Sequence, residues 1–302
     1  MNREPLNPWT SAEKRKSGNI PRALGDTLPA TLEQSNSCPL KPLRLLKAGT
    51  EKPPVFIAHG LGGSVAEVSQ LGRHIPLHHP VYGLQAKGTD GKAEPLDRIE
   101  DMAQFHLDQI EELQPRGPYF LIGYSLGGLI MLEVARCLSQ RGEKVGLLVM
   151  IDSYPHKRYL SLGLRMRLAG SRAKRHVATV KRLPLRKALS YIFHSAERRL
   201  LSEGAGERDL RLTDAFLARR ARDSAYLAWT RYEPRFYSGT IKFLKAAVRS
   251  EFPDDPDTVW AHLADKLEVE TVAGNHRDMI EKHFASLATV LSHHLQEALD
   301  HG

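Results

Sequence analysis

The segment Gly123-Tyr124-Ser125-Leu126-Gly127 constrains this chain more than any other stretch of it. An apolar run at 119–122 precedes it. Behind it, residues 128–141 carry Ile130, Val134, Ala135 and Leu138 along one side, and Gly142 is a plausible stop. A serine at a sharp strand-to-helix turn needs backbone angles that most residues resist, and small neighbours so that strand and helix can pack closely. That turn also sets the hydroxyl near a helix N-terminus, whose amides favour developing negative charge. A bare Gly-x-Ser-x-Gly is common by chance. One bracketed by a strand and a helix predicts a nucleophile at Ser125.

The elements around the turn agree. Short strands are expected at Leu43–Lys47, Val55–Ala58 and Val81–Leu84, with helical spacing at 65–74 and 96–113. Val145–Ile151 is a near-continuous apolar run, as expected of a central strand covered on both faces. Strand and helix in alternation imply a parallel sheet with right-handed crossovers. The alternation then breaks for a basic stretch at 154–200 and a helical stretch at 210–232. Strands resume at 240–245 and 267–272, and a helix at 283–299 closes the chain. We expect an α/β-hydrolase fold: a mostly parallel central sheet, helices on both faces, and a helical lid inserted at about 153–235. It occupies residues 41–302, after a loosely ordered leader at 1–40 broken by Pro5, Pro8, Pro21, Pro29 and Pro39.

A serine is a poor nucleophile without a base, and in this fold the acid and then the histidine follow it along the chain. Nine of the 14 histidines come after Ser125. His156, His176 and His194 fall in the basic insertion, His283, His293 and His294 on the closing helix, His301 in the tail, and His262 before a strand. His276 stands alone in a loop, Gly274-Asn275-His276, at the end of a strand, the edge where open parallel sheets keep their sites. The orienting acid has two sources. Asp152 directly follows the 145–151 strand and is held by a rigid element, which favours it. Asp254, Asp255 and Asp257 lie in a later proline-containing loop, and Asp152 could instead be a simple cap or turn residue. The oxyanion hole calls for two backbone amides: Leu126, after the nucleophile, and Leu61, in the loop His59-Gly60-Leu61-Gly62-Gly63. Gly60 and Gly62 would give that loop its shape, unless it is merely a flexible turn. His59 precedes the nucleophile and reads as a structural partner.

Composition limits the alternatives. No apolar run approaches the roughly 20 residues a membrane-spanning helix needs. The polar start lacks the apolar core of a secretory signal. Cys38 and Cys137 are the only cysteines, so a reducing cytoplasm is the expected compartment. His78-His79 and His293-His294 are adjacent pairs without further ligands at useful spacing, so no metal is expected. The net charge of +8 is uneven, because residues 153–200 hold 13 Lys or Arg against one acid, Glu197. That block has few aromatics and no stacking platform, which argues against nucleic acid. Its bland reading is a solvated helical face.

These residues resemble a known family, the thioesterase domains that end non-ribosomal peptide and polyketide assembly lines and their stand-alone relatives. The likeness runs through Pro54-Val55-Phe56-Ile57-Ala58-His59-Gly60, Pro80-Val81-Tyr82-Gly83-Leu84-Gln85-Ala86-Lys87-Gly88, Ile99-Glu100-Asp101-Met102-Ala103, Gln114-Pro115-Arg116-Gly117-Pro118-Tyr119 and the elbow at 123–128. It continues in Asp152-Ser153-Tyr154-Pro155, Tyr232-Glu233-Pro234, Tyr237-Ser238-Gly239 and Val272-Ala273-Gly274-Asn275-His276. The 80–88 block is the most telling, since general esterases lack it. The resemblance implies a Ser125–Asp152–His276 triad and an acyl-enzyme route that cleaves a pantetheine thioester. It implies no cofactor, since the substrate carries the phosphopantetheine. No Gly-Gly-Asp-Ser-Leu-like attachment site is present, so the partner is expected to be a carrier protein acting in trans, or an acyl-coenzyme A. The insertion at 153–210 is longer and more basic than the resemblance explains. It would suit docking of an acidic carrier protein. A general carboxylic-ester hydrolase with the same triad, and an acyl transferase or interaction protein, remain as rival readings.

Overall fold

The computed structural model describes residues 42–160, 162, 163, 165, 166, 170, 214–248 and 255–300. The leader at 1–40 and most of the basic insertion lie outside the described residues.

Seven strands among the described residues make one sheet: β1 (Leu43–Lys47), β2 (Val55–Ala58), β3 (Val81–Leu84), β4 (Tyr119–Tyr124), β5 (Val145–Ile151), β6 (Tyr237–Ala246) and β7 (Ala264–Val272). Their order is β1-β3-β2-β4-β5-β6-β7. Every neighbouring pair is parallel except β1 and β3. Helices among the described residues include α1 (Ala66–His74), α2 (Ile99–Leu113), α3 (Leu126–Gln140), α4 (Asp214–Arg231), α5 (Asp257–Trp260), α6 (Asp278–Glu281) and α7 (Phe284–Asp300). Residues 152–236 lie between β5 and β6 along the chain.

Side chains alternate across the central strands and feed two cores. Phe56, Leu121, Leu148, Met150 and Phe243 point to the face covered by α2 and α3, with Ala225 and Ala228 of α4 joining them. Val55, Ile57, Phe120, Ile122, Val149 and Leu244 point to the other face, under Val68 and Leu71 of α1 and Leu287, Leu291 and Leu295 of α7. Double coverage explains the near-continuous apolar runs of β2, β4 and β5, whose fully buried side chains contribute about 1.5–3 kcal/mol each. The same coverage leaves the C-terminal edge of β2, β4, β5 and β7 as the place where loops converge. Among the described residues no helix is long and apolar enough to cross a membrane.

Candidate active site

β4 runs two residues further than the sequence suggests, to Tyr124, because the Ser125 amide still donates across to the Ile151 carbonyl of β5 at 2.9 Å. The chain must then reverse into α3 at once, and Ser125 takes the strain, at φ 54° and ψ −117°. The flanking glycines are required by close approach. A Cβ at Gly123 would fall on the Gly127 backbone, and one at Gly127 on the carbonyls of Ala58 and His59.

Asp152 immediately follows β5 and is, with Ser125, one of two non-glycine residues of positive φ among the described residues, at 46°. Its amide donates to the Leu244 carbonyl at 2.8 Å, and its Oδ1 faces the Ala246 amide at 3.4 Å. The other oxygen, Oδ2, lies 2.7 Å from His276 Nδ1, and His276 Nε2 lies 3.1 Å from Ser125 Oγ. A buried carboxylate only accepts, so Nδ1 carries the imidazole proton and Nε2 is left to accept from the serine hydroxyl. Asp152 is 3% exposed and His276 23%, so the acid end of the hydrogen-bonded chain is closed off and its histidine is partly open. His276 is held from two sides. Tyr124 stacks on its ring, centroids 5.0 Å apart, and donates its hydroxyl to the His276 carbonyl at 2.9 Å. Burial and then the carboxylates of Glu67 and Asp152 push that phenol far above its usual value, so it stays a donor. Sequence reasoning does not reach this role for Tyr124.

The rival residues lie elsewhere. Asp255 accepts from the Asp257 amide at 3.2 Å and so starts α5, and Asp254 is outside the described residues. His156 packs edge-on to Trp229, and His262 follows α5. His176, His194 and His301 are outside the described residues. His283 precedes α7 instead of starting it. His293 and His294 do gain a third donor, Glu297, which the pairwise reading of the sequence overlooks. The Lys242 ammonium, 3.3 Å from Glu297, already supplies a cation there.

Leu61 and Leu126 line one cavity of about 60 Å³ with Ser125, Tyr154 and Trp229. The loop that carries Leu61 is held by residues the sequence singles out only within motifs, or not at all. Gln85 is buried; its Oε1 accepts from the Val65 amide at 2.9 Å and its Nε2 donates to the Gly63 carbonyl at 3.2 Å. The Gly60 amide donates to Glu67 Oε2 at 2.9 Å. Burial raises the Glu67 carboxyl, while the Gly60 and Gly62 amides and the Arg222 and Arg277 guanidiniums draw it back down. His59 donates from Nδ1 to the Gly60 carbonyl at 2.7 Å, which makes it the structural partner expected.

A family model described as thioesterase domain matches residues 53–295. A dimodular nonribosomal peptide synthase of Bacillus subtilis (strain 168) is 28% identical over 284 residues, 87% of this chain but 11% of that protein. The polyketide synthase PksR of the same strain is 43% identical over 108 residues, 36% of this chain and 4% of its own length. The chain thus spans about a tenth or less of these curated relatives. Among solved structures, the type II thioesterase BorB from the borrelidin biosynthetic cluster has a TM-score of 0.58 at 19% identity, covering 84% of this chain and 96% of its own. The NocB thioesterase domain in covalent complex with a fluorophosphonate nocardicin G analogue gives 0.55 at 20%, covering 81% and 95%. At such identities the likeness establishes the fold, which is the α/β-hydrolase fold.

Proposed function

We infer, from the premise that this chain belongs to the thioesterase domain family and is a thioesterase, that Ser125, His276 and Asp152 carry its chemistry. The observation that supports this most is the continuous hydrogen-bond chain of 3.1 and 2.7 Å from Ser125 through His276 to Asp152. In this reading Ser125 Oγ attacks the thioester carbonyl as its proton passes to His276 Nε2. Asp152 steadies the imidazolium that forms. The carbonyl oxygen, now an oxyanion, is held by the amides of Leu61 and Leu126. Collapse breaks the carbon–sulfur bond, and the departing thiolate carries off the proton from His276 Nε2, which leaves the imidazole neutral before water enters. A thiolate leaves readily, so proton donation from His276 matters less here than oxyanion binding. Water then gives a proton to His276 and attacks the acyl-serine, and release of the acid restores Ser125; an internal nucleophile of the acyl chain would instead release a ring.

The substrate class in this reading is an acyl, peptidyl or polyketide chain on a pantetheine thiol, carried by a protein in trans or by coenzyme A, and no cofactor is required. Relatives that are peptide and polyketide synthases support it. We further infer that the 13 cations at 153–200 draw in an acidic carrier protein in the cytoplasm. Turnover of a carrier-bound substrate is then expected to weaken as ionic strength rises; insensitivity to salt rejects the docking.

The test of the central reading is a panel of acyl-pantetheines and acyl-coenzyme A beside p-nitrophenyl esters, with wild type and Ser125→Ala. Thioester turnover should exceed ester turnover and fall at least about 10³-fold in the variant. Ester turnover alone would move the chain to general esterases. A variant that kept thioester turnover would remove Ser125 from the mechanism.

A further inference from the structure

The turn that carries Leu61 is short and closed on itself, with the Gly63 amide donating to the Gly60 carbonyl at 3.2 Å. With glycines at 60, 62 and 63 its only side chain is that of Leu61, an apolar group that forms no hydrogen bond to fix its shape. Its amides must nevertheless be aimed before substrate arrives, because an oxyanion donor that has to be reoriented during reaction loses most of its value. Gln85 holds the Gly63 carbonyl and His59 the Gly60 carbonyl, and the carboxylate of Glu67 is the group that takes up the Gly60 amide. One oxygen, Oε2, accepts from the Gly60 amide at 2.9 Å, and the other, Oε1, lies so close against Gly62 that a Cβ there would fall 1.8 Å from it. The amide between them belongs to Leu61, whose side chain lines the cavity over Ser125.

Helix capping does not account for this arrangement. An acid in the first turn of a helix is favoured by the helix dipole, and a capping glutamate bonds back to its own helix start. Glu67 instead reaches seven residues back, outside α1, while its own amide bonds to the Ser64 carbonyl. On its other side the Gly60 backbone is backed by the Tyr124 ring, which stacks on His276. The charged groups that face Glu67 are Arg222 of α4 and Arg277, next to His276, with the Tyr124 phenol as the further titratable neighbour.

We propose that Glu67 is the positioning residue of the oxyanion hole: by holding the Gly60 amide and packing against Gly62 it aims the Leu61 amide at the carbonyl oxygen of the bound thioester. This rests on the Ser125 mechanism above. Glu67 itself touches no reacting atom. Its loss should therefore cost transition-state binding and spare ground-state binding.

The experiment compares Glu67→Ala, Glu67→Met, which keeps the volume, and Glu67→Gln, which keeps one carbonyl acceptor. For each, kcat and KM are measured on an acyl-pantetheine, with the affinities of two analogues: a trifluoromethyl ketone that forms an oxyanion on Ser125, and an unreactive thioether. We expect kcat to fall about a hundredfold in the Ala and Met variants with KM within about threefold. Ketone affinity should fall in step and thioether affinity should hold, and Glu67→Gln should recover about tenfold of the loss. Unchanged kcat in either folded variant overturns the proposal, as does an equal loss of both analogues, which would mean general loosening of the site. If Ala and Met fail to fold, the Gln variant decides alone, since a neutral amide oxygen holds the Gly60 amide more weakly than a carboxylate and must lower kcat and ketone affinity together. A Ser125→Ala protein that still turns over substrate defeats the underlying mechanism; an inert Ser125→Ala beside normal Glu67 variants defeats only this proposal.

Discussion

Two non-glycine residues among those described hold backbone conformations that side chains resist, Ser125 at φ 54° and Asp152 at φ 46°. Each such position costs about 1–3 kcal/mol, and both sit in one hydrogen-bonded chain. The strain aims Ser125 Oγ and Asp152 Oδ2 at opposite nitrogens of one imidazole. Asparagine tolerates the left-handed region nearly as well as aspartate does, so Asp152→Asn keeps the backbone and removes only the charge. Its amide can donate to His276 Nδ1, which stabilises the tautomer with the proton on Nε2 and blocks acceptance from Ser125. We expect kcat to fall about 10³–10⁴-fold with KM little changed, and steady-state kinetics with circular dichroism check it. Asp255→Ala should leave kcat alone, since Asp255 only starts α5. Loss of kcat in that variant would return the orienting role to the later loop.

The insertion returns to the sheet through Tyr232-Glu233-Pro234-Arg235, and this junction is pinned by one buried acid of α3. Glu133, 1% exposed, accepts from the Tyr232 hydroxyl at 2.8 Å, from Arg136 at 2.9 Å and from Arg235 at 2.8 Å. Arg136 is itself buried, so Glu133→Ala would leave an uncompensated cation beneath the sheet–helix junction. We expect a loss of about 3–5 kcal/mol, read as a lower urea midpoint, with the Arg235→Ala loss nearer 1 kcal/mol because that guanidinium is half exposed. The same network marks the limit of what sequence shows. The fold, the elbow, Asp152 and His276 are legible because strand periodicity, glycine spacing and chain order are local signals. Glu133, Glu67 and Gln85 are not, because their partners lie elsewhere along the chain and nothing near each residue announces them. Element ends were displaced for a related reason. α3 starts at Leu126, before the expected 128, and β4 ends at Tyr124, because the bond from Ser125 to Ile151 carries the ladder into the turn.

Burial of neutral histidine ties the stability of the folded chain to pH. His59, at the end of β2, and His106, on α2, are each 1% exposed, and their rings meet edge to face at 5.7 Å. Burial lowers both imidazoles from their usual value, His106 well below it with the neighbouring His59 adding to the effect. The folded chain therefore declines protons that the unfolded chain accepts near pH 6.5. Stability from this pair is fully present above that pH and is lost as pH falls from about 6.5 toward the folded values. Each group contributes up to about 1.4 kcal/mol per pH unit across that window. His106→Phe fills the same apolar surroundings with a ring that cannot titrate. Urea unfolding at several values between pH 8 and pH 5 should give a shallower decline for His106→Phe than for wild type, by up to about 1.4 kcal/mol per unit. The comparison of slopes removes the other histidines, which are common to both proteins, and any constant cost of the substitution. Parallel slopes would mean that His106 takes up its proton as readily in the folded chain as in the unfolded one. The pair backs the loop that holds Leu61 and lines a small pocket with Ala221 and Ala225 of α4. The acid-sensitive part of the fold is thus the part that must stay ordered for an oxyanion to be held.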